Sequence, residues 1–542
     1  MLLVPFVQAH TAVSASTVDI PRRLAPGRIV DRAVEVYLTA DVRSLAAGRV
    51  VMALVLLLDL AKRWAEIGLW YTNDGLLPNH TLLWRPSFSH AFSLFLLASR
   101  GYEAAVGFVL CGAAYTMLLV GFHTRLAQVL SLICLLSLHG RLLLFDNGGD
   151  VVLGLVCLWT TFLPTGRRWS VDAVLAGRPA AARSATSLGV LALTFQLALI
   201  YFFNAVHKQG ASWREGSAVY YVLHLDRLAT GFAVWVRGVI PFELCKLLTW
   251  GTLAIEWTLP LLLLSPFAVR YTRRLAIVLV VVLHGGFALC MNLGSFVPAM
   301  LAFTPNFVHR DDWDALERWW ARAPRRAHSW ARARTRICAL VLRVAAALTP
   351  GRRVRVTGPG PLAQAFARRI PFARELTVVG CIMVATSQLL EENRAAHVVI
   401  EHHKPPAIDA AVIYLNLFQG WSMFAPDAPM TDFNVVVDAV TVDGRHVDPF
   451  NEVANPRHPA PGIQIPEHLA PSWLFYGYEN HLPSEPAYYQ ALKEWILRYH
   501  ERTGLIENRI VSFRVLIVED DSPPLGERAP RNLRSRELFA YP

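Results

Sequence analysis

Long apolar runs separated by short polar stretches dominate the chain up to about residue 393. Because about 20 consecutive apolar residues cross a bilayer as a helix, the runs predict about nine transmembrane helices. They lie near residues 44–61, 102–121, 126–145, 151–164, 186–206, 242–265, 275–291, 296–308 and 374–392. Two shorter runs, 88–99 and 336–349, are typical of half-spans or interfacial helices.

Beyond the last of these runs the pattern becomes that of a soluble domain. Residues 433–449 alternate apolar and polar positions around a hairpin-like Asp443–Gly444, and 509–519 is a second strand candidate. The stretch 485–504 favours a helix that ends at Gly504. The predicted fold is a polytopic all-α membrane bundle followed by a C-terminal α+β soluble domain.

Composition agrees with an integral membrane protein. Of the 542 residues 54% are hydrophobic and 17% are charged, with a mean hydropathy of +0.35, whereas roughly 25% of residues are charged in soluble proteins. The lipid bilayer is therefore an expected partner. The net charge of +11 comes from arginines beside the apolar runs, where they orient helices, so nucleic-acid binding is not expected. The first ten residues lack a basic region, so a cleaved signal peptide is not expected.

Arginine clusters predict the orientation in the membrane, because basic loops stay in the cytoplasm. The clusters are Arg22, Arg23, Arg28 and Arg32; Arg167, Arg168, Arg178 and Arg183; Arg270, Arg273 and Arg274; and the fifteen arginines of 309–375. The outer side then receives the polar stretches 70–80, 146–150 and 207–216, together with the C-terminal domain. The polar stretches that carry the candidate chemistry are thus expected on one extracytoplasmic face.

These boundaries divide the chain into five predicted parts. They are a cytoplasmic tail (1–42), a membrane domain (43–308), a basic cytoplasmic segment (309–373), a last transmembrane helix (374–392) and an extracytoplasmic α+β domain (393–542). All seven cysteines lie in or beside apolar runs without a CxxC pair, and the aspartates between 432 and 448 lack EF-hand spacing. Neither a disulfide framework nor a metal site is expected.

Ionisable residues inside apolar runs are costly, at about 2.5 to 3.5 kcal/mol each on insertion scales, and Glu256, His284, His139 and Arg141 are such residues. Glu256 and His284 lie well inside their runs. We expect each to face protein or a wet cavity, either as a pairing group that ties helices together or as part of a functional site. His139 and Arg141 lie near a helix end, where side chains that reach towards the interface are the simpler interpretation.

The sequence YFFNAVHKQGASWREGSAVYY places Lys208 where an apolar run ends. A lysine near a tryptophan at this position is typical of interfacial anchoring. Alternatively, Asn204 one turn earlier, the neighbouring His207 and the following Trp213 are suitable surroundings for a partly desolvated base. In that case Trp213 and Gly216 shape the turn that closes over the amine.

The same stretch resembles the core of the vitamin K-dependent gamma-glutamyl carboxylases and of their wider bacterial group, the horizontally transferred transmembrane domain (HTTM) proteins. The resemblance covers roughly residues 40–310 in order. Further matching segments are 43–75, 156–175 and 284–307. It places Lys208 on the catalytic lysine of the carboxylases and His284 on an important histidine. Residues 421–426 resemble a C-terminal signature of the bacterial members.

The resemblance implies a specific reaction if the family chemistry is kept. Lys208 deprotonates a reduced naphthoquinone, which is menaquinone or vitamin K hydroquinone, and addition of oxygen generates a strong base. That base removes a γ-proton from a glutamate, to which carbon dioxide adds, while His284 orients or stabilises charged groups. Glu256, Asn147 and Asp150 join the pocket. The expected protein is a metal-free lyase of the bacterial inner membrane that acts on a secreted or periplasmic peptide or protein.

Two positions depart from the family pattern. Asn147-Gly148-Gly149-Asp150 replaces Asn-Asn-His-Ser, so Gly149 stands at a functional histidine and Asp150 offers a different polar group. His207 replaces the first lysine of a Lys-Lys pair. The alternative function is a non-carboxylating scaffold that binds quinone or lipid. A transporter is disfavoured, because no inverted repeat or matching pair of broken helices is apparent.

Overall fold

The computed structural model describes residues 26–83, 93–142, 147–176, 183–322, 361–393, 395, 404–454, 486–524, 527 and 531–542. The predicted half-span 336–349 and most of the basic segment lie outside these residues. The main helices of the membrane part are α1 Val42–Trp64, α2 Gly101–Val120, α3 Thr124–Arg141, α4 Gly148–Thr161, α5 Leu188–His207, α6 Phe242–Leu264, α7 Val269–Cys290, α8 Phe296–Phe303 and α9 Pro361–Glu392.

Short helices connect these elements and continue into the C-terminal part. They are Pro26–Ala33, Val34–Leu38 (π), Ile67–Trp70, Asn79–Leu83, Leu94–Leu97 (3-10), Thr165–Arg167 (3-10), Val171–Leu175, Ala211–Arg214, Ala218–Leu223, Gly231–Val239, Thr304–Phe307 (3-10), Arg310–Ala321, Pro406–Leu415, Pro449–Ala454, Pro486–Leu497, Tyr499–Thr503 and Ile506–Asn508 (3-10).

Six of the described helices are long and apolar enough to cross a membrane: α1, α2, α5, α6, α7 and the Pro371–Glu392 part of α9. The chain is an integral membrane protein, but the predicted nine spans are not confirmed. The predicted span 126–145 is α3, whose Gln128, His139 and Arg141 lower its hydropathy. The predicted spans at 151–164 and 296–308 are shorter apolar helices, and the 14 residues of α4 extend only about 21 Å.

Some helices pack against the next helix along the chain, and others pack against a helix far away in the sequence. α1 packs against α2, α5 against α6, α6 against α7, and α4 against α8. Local capping sets where two of them begin: Asp41 accepts from the backbone N–H of Arg43 at the start of α1, and Ser187 accepts from Gly189 at the start of α5. A short antiparallel pair, β1 (Thr39–Asp41) and β2 (Ser184–Thr186), holds these two starts together.

The C-terminal part contains a four-stranded antiparallel sheet with the order β4-β3-β5-β6. Its strands are β3 Thr431–Thr441, β4 His446–Val447, β5 Ile510–Asp521 and β6 Arg531–Tyr541. The predicted hairpin at Asp443–Gly444 is confirmed, with Gly444 at φ +84°, and so is the left-handed Gly504 after its helix. β6 was not predicted, because a largely exposed edge strand rich in arginine carries no apolar alternation.

One buried apolar core joins the membrane helices to this sheet. It contains Leu155 and Leu197 from the bundle, Val437 and Val515 from the sheet, and Trp421. The C-terminal part is therefore packed onto the bundle rather than tethered to it.

Arg49 of α1 closes the end of α2. Its guanidinium donates to the carbonyls of Leu118 and Leu119 at 2.5 Å each, to that of Trp169 at 2.5 Å and to that of Thr165 at 3.3 Å. The last carbonyls of a helix have no partner within it. The buried arginine therefore supplies the donors that α2 itself lacks.

We expect Arg49→Met to lower the unfolding temperature of the detergent-solubilised protein markedly. Hydrogen bonds to a charged group contribute about 1.5 to 3 kcal/mol each, and four carbonyls would lose the arginine at once, of which that of Leu118 keeps the N–H of Gly121. Lys62→Met, an exposed position on the same helix, is the matched control. Equal melting curves for both variants would show that Arg49 does not hold α1 to α2.

Candidate functional site

A cavity of about 390 Å³ lies between α5, α6, α7 and α8 and is closed by residues of the C-terminal part. Phe287, Phe296 and Met300 form apolar walls, and Met423 and Phe424 close one side. Polar side chains that line it are Asn147, Asn204, Lys208, Arg227, Glu256 and His284. A mostly apolar enclosure with a few convergent polar groups is typical of a small-molecule site.

Lys208 and Glu256 form a buried pair at this cavity. Lys208 directly follows the last turn of α5, and its Nζ donates to Oε1 and Oε2 of Glu256 on α6 at 2.5 and 2.7 Å. Asn204 Nδ2 donates to the same Oε1 at 2.7 Å. The side chains of the pair are 3% and 2% exposed. An interfacial anchor would present its ammonium to water, so the burial argues against the anchoring interpretation.

The indole ring of Trp213 completes the surroundings of the amine. Its centroid lies 4.5 Å from Lys208 Nζ, within the range of a cation–π contact. Gly216 ends the turn that follows, at φ +84°, and a Cβ there would lie 2.9 Å from Cγ of Lys246. Trp213 therefore packs over Lys208, as expected from the sequence, whereas Gly216 packs against Lys246 of α6.

His284 of α7 lines the cavity and has one buried ring nitrogen without a hydrogen-bond partner among the described residues. Its Nε2 lies 2.8 Å from the hydroxyl of Tyr201, and its Nδ1 has no hydrogen-bond partner among the described residues. Among the described residues the Tyr201 hydroxyl has no other hydrogen-bond partner, so we expect it to donate its hydrogen to Nε2. In that arrangement Nδ1 carries the ring hydrogen and is a donor.

The structure does not bring every candidate from the sequence to the cavity wall. Asn147 lines the cavity and caps α4 by accepting from the N–H of Gly149 at 2.8 Å. Asp150 does not line it: its carboxylate accepts from Arg63 and Ser295, each at 2.8 Å. The polar group expected to replace the family histidine is instead bound within the bundle.

His139 and Arg141 do not reach an interface. His139 is 3% exposed, with Nδ1 3.3 Å from Asn416 Nδ2 and Nε2 3.6 Å from Asp150. Arg141 is fully buried and donates to the carbonyl of Leu77 at 2.6 Å. The interfacial interpretation is wrong for both, because the segment after α1 and the C-terminal part cover this end of α3.

Residues 419–429, which we call the docking segment, bind the turn after α5. Trp213 Nε1 donates to the carbonyl of Phe424 at 2.8 Å, and the N–H of Gly210 donates to that of Pro426 at 2.8 Å. His207 Nδ1 lies 2.9 Å from the carbonyl of Trp421. His207 therefore serves this contact rather than the cavity.

The sequence alone did not identify Tyr201, Arg227, Met423 and Phe424 as site residues. Tyr201 is one of several aromatic residues in an apolar helix, and Arg227 resembles a loop arginine. The pair at 423–424 was noted only as part of a C-terminal signature. In the structure Met423 lies beside Gly148, and a Cβ at Gly148 would be 3.3 Å from its Sδ. The two residues are more than 200 positions apart, so no local sequence pattern predicts this contact.

Gly149 is required by a close approach of α4 to α8. A Cβ at this position would lie 2.3 Å from the backbone nitrogen of Phe296 and 2.6 Å from its Cα. Backbone atoms cannot yield as the end of a flexible side chain does. The histidine that the carboxylases have at this position therefore does not fit this backbone.

We expect Gly149→Ala to displace α8 and to lower the unfolding temperature, since overpacking costs about 1 to 3 kcal/mol. Gly148→Ala is the matched control, because its Cβ would lie 3.3 Å from the sulfur of the flexible Met423 side chain and at an ordinary 3.8 Å from the Phe296 ring. Thermal unfolding of both variants in detergent measures the difference. A Gly149→Ala protein as stable as Gly148→Ala would contradict the close approach.

Comparison with known proteins gives a family match. A family model described as HTTM domain matches residues 37–313. Among curated proteins, the uncharacterized protein YitO of Bacillus subtilis (strain 168) is 24% identical over 218 residues, covering 39% of this chain and 69% of that protein. No solved structure matches. The matched region contains Lys208, Glu256 and His284 but ends before the docking segment.

Proposed function

The chain belongs to the HTTM domain family, the family of the vitamin K-dependent carboxylase, and from this premise we propose that its cavity binds a reduced naphthoquinone from which Lys208 removes a proton. The proposed activity is hydroquinone-driven oxygenation coupled to carboxylation, or to another modification, of a peptide or protein. Its co-substrates are oxygen and carbon dioxide. In a bacterium the hydroquinone is the reduced form of menaquinone.

The observation that carries the proposal is the Lys208–Glu256 pair buried at the cavity. An ion pair taken out of water loses hydration that its mutual attraction only partly replaces. Moving one proton from Nζ to Oε1 over their 2.5 Å contact removes both charges and leaves a neutral amine. Such a pair keeps a base ready inside an apolar enclosure, which an aqueous lysine cannot be.

Two buried, unpaired polar atoms on residues that line the cavity support a ligand whose aromatic ring bears hydroxyl groups. His284 Nδ1 and Asn204 Oδ1 are buried and have no hydrogen-bond partner among the described residues. When the Tyr201 hydroxyl donates to Nε2, they offer one donor and one acceptor, which two ring oxygens can satisfy. Phe287 and Phe296 lie with ring centroids 5.4 and 5.5 Å from that of His284 and suit an apolar ring.

Each residue then has a defined part in the chemistry. Lys208 accepts a proton from a ligand hydroxyl, and Glu256 holds the proton that the lysine gave up. His284 donates from Nδ1 and stabilises negative charge at the oxygen it faces. The surrounding apolar walls exclude water from the basic amine. The bound hydroquinone supplies the reducing power that converts oxygen into a base strong enough for a glutamate γ-proton.

We further propose that this cavity opens from the extracytoplasmic side of a bacterial inner membrane. The turn after α5, the start of α4 and the docking segment lie together, as the contacts of Gly148 with Met423 and of Trp213 with Phe424 require. The arginine clusters support assigning the opposite end to the cytoplasm. A secreted or periplasmic peptide or protein would then reach the site.

The decisive experiment supplies reduced menaquinone, oxygen and labelled bicarbonate to the purified protein in lipid nanodiscs, with a glutamate-rich peptide as acceptor. The expected result is protein-dependent oxygen uptake, formation of quinone epoxide and label in the peptide. Oxygen uptake with epoxide but without label would support another modification in place of carboxylation. Absence of hydroquinone-dependent uptake would reject the oxygenase proposal.

A second candidate is a scaffold that binds quinone or lipid without carboxylation. The close approach at Gly149 favours it, because the position that holds a functional histidine in the carboxylases has no room for a side chain here. This candidate predicts saturable binding of reduced and oxidised menaquinone, with no oxygen uptake. Binding measured in the same nanodiscs therefore separates the two.

A further inference from the structure

Asp427 lies in the docking segment, outside the region that the HTTM model matches, and it holds the first turn of the Ala211–Arg214 helix. Its Oδ1 accepts from the backbone N–H of Ser212 at 2.7 Å and from the Ser212 hydroxyl at 2.8 Å. The same hydroxyl accepts from the N–H of Ala428 at 2.9 Å. Ser212 therefore holds the helix Ala211–Arg214 to residues 427 and 428 of the docking segment.

The contact is closely fitted. A Cβ at Gly210 would lie 2.1 Å from Cγ of Asp427, so the residue two positions before Ser212 must be glycine for the carboxylate to reach the turn. The neighbouring Gly210 N–H donates to the carbonyl of Pro426. Asp427 is therefore held by hydrogen bonds to Ser212 and packed closely against Gly210.

The turn held by Asp427 carries Trp213, whose ring lies on the amine of Lys208. We propose that Asp427 is a positioning residue for Lys208, acting through Ser212 and Trp213 without lining the cavity itself. It keeps the indole over Nζ and keeps water away from the Lys208–Glu256 pair. The docking segment is therefore part of the site, and its contact with the bundle sets how accessible the base is.

The first test is independent of the proposed function, because it measures the chemical accessibility of the Lys208 amine. The chain has only five lysines, at positions 62, 208, 246, 404 and 493, so acylation by a water-soluble amine reagent can be followed by mass spectrometry at each. We expect Asp427→Ala to accelerate labelling of Lys208 about tenfold, through local opening of the turn. The other four lysines serve as internal references.

Matched variants decide between positioning and general destabilisation. Asp427→Asn keeps an oxygen acceptor for Ser212 and should restore wild-type protection, while Glu501→Ala, at an exposed position of the C-terminal part, should leave it unchanged. If Asp427→Ala does not fold, Ser212→Ala removes the hydroxyl link and should raise labelling to a smaller extent. Wild-type protection of Lys208 in the folded Asp427→Ala or Ser212→Ala protein would overturn the proposal.

The second test rests on the proposed function. Hydroquinone-dependent oxygen uptake by Asp427→Ala should fall about tenfold or more, because small misplacements of catalytic groups are costly, and Asp427→Asn should recover it. Loss of uptake without any change in Lys208 labelling would overturn the positioning role. If the wild-type protein itself shows no uptake, the oxygenase proposal fails while the labelling result still decides the role of Asp427.

Discussion

Replacing Lys208 by arginine is expected to give a folded, membrane-inserted protein without hydroquinone-dependent turnover. An arginine can keep a paired charge next to Glu256, because a guanidinium binds a carboxylate with two parallel hydrogen bonds. It stays protonated, however, and so cannot accept a proton from a ligand hydroxyl. Loss of a general base lowers rates by about 10² to 10⁴-fold, and oxygen uptake in nanodiscs measures this directly.

Lys246→Arg is the matched control for this variant. Lys246 lies near the same turn and pairs with Glu243, whose side chain is exposed, so the exchange should change neither stability nor turnover. A Lys208→Arg protein with wild-type oxygen uptake would show that the lysine is not a base. Its role would then be confined to pairing with Glu256.

Replacing Glu256 alone by leucine is expected to destabilise the protein strongly. The change removes the acceptor of both Lys208 hydrogen bonds and leaves the amine buried without its partner, and breaking a buried pair in this way costs about 3 to 5 kcal/mol. The half-life of the detergent-solubilised protein at raised temperature should shorten accordingly. This expectation depends only on the geometry of the pair and not on any reaction.

The double variant Lys208→Met/Glu256→Leu tests whether removing both partners of the pair restores stability. Apolar replacement of a whole buried pair is often neutral or stabilising, so the double variant should regain most of the stability that Glu256→Leu loses. It should have no turnover. Additive losses of stability from the two single changes would mean that the residues do not interact.

The sequence predicted the long membrane helices well, because their signal is local. Apolar runs of bilayer length located α1, α2, α5 and α6, and a shorter run located most of α7. The same reasoning predicted a membrane span at α4, which is not confirmed. A helix that is buried on all sides within a bundle is as apolar as one that crosses lipid. Length alone does not separate these two cases when the run is short.

The candidate site was predictable in part. Glu256 and His284 stood out because ionisable side chains in apolar runs need protein partners, and the structure places both at the cavity with Lys208. The sequence did not predict that Lys208 pairs with Glu256, because the two residues are 48 positions apart and are brought together only by the packing of α5 against α6. Arg63, which binds Asp150, resembled one of the basic residues that commonly flank a membrane span.

β6 and the docking segment were missed for different physical reasons. β6 pairs along its whole length with β5 while most of its side chains face solvent, so backbone hydrogen bonds rather than apolar burial define it. The docking segment has no regular secondary structure between the helix Pro406–Leu415 and β3. Its place is fixed by hydrogen bonds to the turn after α5, which no periodicity records.

The docking segment also sets the order in which a working site can be built during synthesis. The chain emerges from its N-terminus, so α5, α6 and α7 are made long before residues 423 and 424. Until then the amine of Lys208 lacks the neighbours that hold Trp213 over it. A nascent chain that has completed only its family-matched region therefore carries an unfinished cavity. The cavity is complete only when residues 423 and 424 have taken their places in its wall.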